Sequence, residues 1–93
     1  MVVGVLTLEL FFPHARSLKD KRRILRGFKD RVRTRYHVAV AEVGHQDKWQ
    51  RALVGIATLN SQPVIVEELL GRVLADARNL QEAELAGQEM RFF

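Results

Sequence analysis

A chain of 93 residues without cysteine has room for one hydrophobic core and no second domain, and it cannot use disulfides, thiolate metal sites or cysteine nucleophiles. The lack of cysteine fits a reducing, cytoplasmic setting. The net charge of +4 is unevenly spread: residues 16–35 hold ten of the fifteen basic residues against Asp20 and Asp30, whereas residues 61–93 carry −3, so a polyanionic partner would meet one segment first.

Residues 2–12 are apolar and partly β-branched and stop at Pro13, which cannot donate to a strand ladder. The run carries Glu9 and lacks a basic leader and a small-residue cleavage site, so it reads as a strand and not as a signal or membrane segment. Leu6, Leu8 and Leu10 share one face and Val3, Val5 and Phe11 the other, the two-sided apolarity expected of a central strand. Ser17 then offers an N-cap for a helix over residues 18–35, in which Leu18, Ile24, Leu25, Phe28, Val32 and Tyr36 fall on one arc.

Residues 37–43 alternate Val38 and Val40 with small residues and predict a second strand, followed by a polar turn after Gly44. A third strand runs over 49–59, where Leu53, Val54, Ile56 and Leu59 again populate both faces. Val66, Leu69, Leu70, Val73, Leu74, Ala77 and Leu80 have the spacing of an amphipathic helix over 63–79. The acidic tail from Glu82 suits an edge strand blunted by charge.

The order β-α-β-β-α-β, with strands one and three central, predicts an α+β ferredoxin-like sandwich spanning residues 1–93. Its antiparallel sheet would have the order 4-1-3-2 with both helices on one face. The other face would then expose apolar side chains, which points to a homodimer or higher oligomer formed through that face or a sheet edge.

The first helix carries the main functional signal. Arg22, Arg26, Lys29 and Arg33 recur at i, i+4, i+7 and i+11, flanked by Lys19 and Arg23, and make a cationic stripe beside the apolar arc. Such a stripe can contact successive phosphates of a nucleic acid and release counterions, although a solvated helix face has the same appearance. Cations early in a helix oppose its dipole, so the sequence calls either for carboxylates from another element or for an anion near the helix start.

Lys21 is different, because it falls inside the apolar arc and faces the sheet. Glu42 shares a face with Val38 and Val40 at the same end of the fold, which predicts a structural Lys21–Glu42 ion pair. His14, His37 and His45 have no metal-ligand spacing, and no phosphate loop, nucleophile elbow or paired-acid motif is present, so no metal, cofactor or catalytic residue is expected. The third strand has no aromatic to stack RNA bases, and FFPHARS supplies Arg16 without the glycines of an acylphosphatase-like loop. Trp49, Phe92 and Phe93 are assigned to core or interface packing.

SLKDKRRIL (Ser17 to Leu25), VAVAEV (Val38 to Val43) and WQRALVGIATL (Trp49 to Leu59) resemble the bacterial YlxP-like family, a domain of unknown function. The resemblance covers most of the chain in order and carries over Ser17, Leu18, Lys19, Lys21, Arg22 and Glu42, for which the family supplies no roles. It implies a ferredoxin-like fold, no established catalytic activity, and genes near those for translation initiation and ribosome maturation. The leading expectation is therefore a non-enzymatic accessory protein that binds RNA or a ribosomal surface through the first helix. The alternative is a dimeric ligand- or protein-binding domain whose basic residues are neutralised by acids of strand four or of a partner subunit. A third is a small phosphoryl or acyl hydrolase using Arg16.

Overall fold

In the computed structural model, which describes all 93 residues, the elements are β1 (Val2–Phe11), α1 (Leu18–Tyr36), β2 (Ala39–Gly44), β3 (Arg51–Asn60), α2 (Pro63–Arg78) and β4 (Glu84–Phe92). The strands form one antiparallel sheet in the order β2-β3-β1-β4, the predicted 4-1-3-2 read from the other end. This is the ferredoxin-like βαββαβ arrangement.

Both helices cover the same sheet face. Leu6, Leu8 and Leu10 of β1, Ala52, Val54 and Ile56 of β3 and Val40 of β2 meet Leu25, Phe28 and Val32 of α1 and Val66, Leu70, Val73 and Ala77 of α2. Full burial of each Val, Leu, Ile or Phe side chain here contributes about 1.5–3 kcal/mol, which makes this layer the main source of stability. α1 lies over β2, whereas α2 lies over β1 and β3 and reaches β4. Gly4 permits that approach: a Cβ there would collide with Val66 Cγ1 and lie 2.8 Å from Leu70 Cδ1.

The start of α1 is held by reciprocal caps. Ser17 Oγ accepts from the Asp20 amide at 3.1 Å, and Asp20 Oδ2 accepts from the Arg16 amide at 3.0 Å. At its other end α1 runs one residue beyond the expected boundary and closes on His37, whose φ of 53° lies in the left-handed region. His37 is therefore a helix cap and not the first residue of a strand, and β2 begins at Ala39.

On the uncovered face, register places Val3, Val5 and Phe11 of β1 beside Leu59, Ala57 and Arg51 of β3. Leu59 and Val43 are largely exposed there. Trp49 and Phe93 lie outside the core, 52% and 71% exposed. Core packing is thus ruled out for both, because the hairpin turn and the residue after β4 project beyond the helix-covered layer.

Candidate functional site

Lys21 is fully buried yet completely satisfied. Its Nζ donates to Glu42 Oε2 at 2.8 Å, to the His45 carbonyl at 2.9 Å and to the Arg51 carbonyl at 3.1 Å, which uses all three ammonium protons. Glu42 retains 15% side-chain exposure. His45 adopts φ 58° in the turn between β2 and β3. The ammonium thus ties the first turns of α1 to both ends of that turn. Every donor of this lysine is thus occupied within the chain.

The exposed face of α1 is a separate feature. Lys19, Arg22 and Arg26 are exposed, Lys29 is half-buried, and none of the four has a carboxylate within 4.0 Å. A shallow depression at the helix start is lined by Lys19, Asp20, Arg22, Arg23 and Arg26, with no apolar residue. Asp20 is the one carboxylate among these four cations, so the depression keeps an excess of positive charge. Arg23 makes only an exposed contact of 3.4 Å with Glu82.

Arg33 does not belong with the free cations. Its Nη2 donates to the Val40 carbonyl at 2.8 Å, and its Nη1 lies 3.6 Å from Asp30. The guanidinium is turned down onto β2. Helical spacing alone put it on the stripe; the outward direction of the Val40 carbonyl, which depends on sheet register, takes it off.

Arg33 also orients the stripe. Its flank of α1 borders the outer edge of β2, while Ile24, Gly27 and Arg31 on the opposite flank line a groove with Leu80 and Glu82. β4 lies at the far edge of the sheet. Glu84 and Glu89 of β4 therefore make no ion pair with Lys19, Arg22, Arg26 or Lys29, whereas Glu82, just before β4, reaches Arg23 on the opposite flank.

Two further features were not apparent from the sequence. Between the C-terminal halves of the helices, Tyr36 Oη donates to Asp76 Oδ2 at 2.7 Å, and Arg35 lies 3.3 Å from the same oxygen and 5.3 Å from the Tyr36 ring centroid. Burial, with the hydrogen bond and charge of Asp76, raises the Tyr36 pKa. A second depression near the hairpin joins Phe11 and Trp49 to Asp47, Lys48 and Arg51. No group of His, Asp and Glu residues is arranged to hold a metal, and no helix is long and apolar enough to cross a membrane.

Residues 3–90 match the family described as "Protein of unknown function (DUF503)". The chain is 39% identical over 83 residues to the Bacillus subtilis (strain 168) protein "Uncharacterized protein YlxP", a match covering 89% of this chain and 90% of that protein. Among solved structures, the de novo designed protein Foldit4 superposes with a TM-score of 0.58 at 18% identity, over 100% of this chain and 97% of that one, a likeness of fold alone. The family match and the identity to the Bacillus protein agree with the SLKDKRRIL, VAVAEV and WQRALVGIATL segments, and the chain belongs to the YlxP-like family of proteins of unknown function (DUF503).

Proposed function

We propose that the chain is a non-enzymatic accessory protein that binds RNA through the face of α1 formed by Lys19, Arg22, Arg26 and Lys29. The observation that carries this reading is the absence of any carboxylate partner for these four residues on one flank of a single helix. Unpaired, largely exposed guanidinium and ammonium groups keep their donors free for phosphate oxygens and release counterions on contact. Arg33 is held at the β2 edge and is left out of the site.

Binding to total cellular RNA and to purified ribosomal subunits across a salt series tests the reading. Wild type binds near physiological salt and weakens steeply as salt rises. The Arg22→Glu/Arg26→Glu/Lys29→Glu variant, folded by circular dichroism, loses binding, whereas Arg72→Glu/Arg78→Glu on α2 retains most of it. Wild type that fails to bind at any salt, or a stripe variant that binds as well as wild type, overturns the proposal.

A further inference from the structure

The two edges of the sheet are treated differently. Strand pairing alternates between residues whose backbone groups face a neighbour and residues whose groups face away. Ala39 and Ala41 lie opposite Ala57 and Gly55, and the Val40 and Glu42 carbonyls accept from side chains, Arg33 Nη2 at 2.8 Å and Gln46 Nε2 at 3.1 Å. Two outward carbonyls of β2 are thus occupied by side chains, which blunts this edge against further pairing.

β4 has no such caps. Val3 and Phe93 exchange both backbone hydrogen bonds, at 3.0 and 2.8 Å. By alternation, Arg91 and Glu89 also face β1, and the amides and carbonyls of Gln88, Met90 and Phe92 point outward. No side chain bonds to any of them. The one irregularity in the β1–β4 register falls between Glu9 and Leu10 and leaves the stretch from Gly87 to Phe93 regular.

Glu89 and Arg91 sit on the uncovered face, two residues apart and in contact with each other. For two copies of β4 related by a two-fold axis, only registers centred on a residue bring outward-facing groups together. An axis at Glu89 sets Glu89 against Glu89, and an axis at Arg91 sets Arg91 against Arg91. An axis at Met90 sets each Glu89 against the partner's Arg91. It also pairs Gln88 with the partner's Phe92 and Met90 with the partner's Met90, through outward-facing groups on both sides. Phe93, which is largely exposed, then lies over the partner's Gly87, which has no side chain of its own.

We infer that β4 is a self-association edge, pairing antiparallel with β4 of a second copy about an axis at Met90 to give one continuous eight-stranded sheet. Charge complementarity fits a second copy as the occupant and favours the Met90 axis over those at Glu89 and Arg91, since a like-charged cross-strand pair is destabilising and an opposite pair stabilising. The inference is independent of RNA binding: it uses the opposite edge of the sheet from the α1 stripe.

Sedimentation equilibrium on charge-reversal variants tests it. Wild type is a dimer. Glu89→Arg chains present two arginines and Arg91→Glu chains two glutamates, and each alone dissociates with a constant raised about tenfold or more, because two attractive cross-strand pairs become repulsive. An equimolar mixture of the two variants associates one to one, which repair of a contact within each chain would not produce. In wild type, amide exchange at Gln88, Met90 and Phe92 slows as concentration rises. A wild type that stays monomeric, single variants that dimerise like wild type, or a mixture that remains unassociated overturns the inference.

Discussion

The three protons on the Lys21 ammonium decide how α1 is anchored. Removing them in Lys21→Met leaves Glu42 unpaired beside the core and orphans two carbonyls, and should lower unfolding free energy by about 3 kcal/mol in urea titration. A cycle with Glu42→Gln should show coupling of at least about 1 kcal/mol, and the double variant should not regain wild-type stability because the His45 and Arg51 carbonyls stay unsatisfied. Lys21 was legible in the sequence as a cation interrupting an apolar arc, and so was its carboxylate partner. The two carbonyl acceptors were not, since their directions follow from the backbone of the hairpin turn.

Tyr36 supplies a second residue-level test. Its pKa is raised in the folded state by burial first and then by Asp76. A raised folded value means that the contribution is complete below the ordinary phenol pKa of about 10 and is lost as pH rises toward the folded value. Tyr36→Phe should cost about 1 kcal/mol at neutral pH, and stability measured above pH 10 should fall less steeply for the variant than for wild type.

At the scale of elements, close approach of α2 to β1 depends on Gly4. Gly4→Ala must push Val66 and Leu70 outward, and a loss of about 1–3 kcal/mol with the fold preserved is the expected result of thermal unfolding. The six elements were legible because apolar spacing switches cleanly between strand and helix periods, and the two-sided strands identified the sheet centre. The ends were less so. His37 reads as a strand residue by its neighbours, yet it caps α1 in a left-handed conformation that non-glycine residues adopt seldom. Membership of the cationic stripe was legible for Lys19, Arg22, Arg26 and Lys29 from helical spacing. The bond from Arg33 to the Val40 carbonyl was not legible, because which carbonyls of an edge strand point outward is a matter of register that no helix wheel contains.

For the whole molecule, the arrangement of charge matters more than its total. Four phosphate contacts through the stripe predict a slope of about −3 to −4 in log affinity against log salt, and each charge removed should lower that slope by about one. Because α1 lies over β2 and β4 is at the far edge, pairing through β4 places the two stripes at opposite ends of the assembly. Strands lie about 4.8 Å apart, so the two α1 helices stand on the order of 30 Å from each other. Each is then free to engage its own RNA segment.

If chains pair through β4, the occupied carbonyls of β2 would limit how far that assembly grows. A chain with two open edges would polymerise, adding strands at both ends without limit; a chain with one consumes it in the first encounter and has no growing end. In such an assembly Arg33 and Gln46 would act as chain terminators. An Arg33→Ala/Gln46→Ala variant should convert a population of fixed size into a ribbon whose light scattering climbs with concentration, and the wild-type protein should show no such climb.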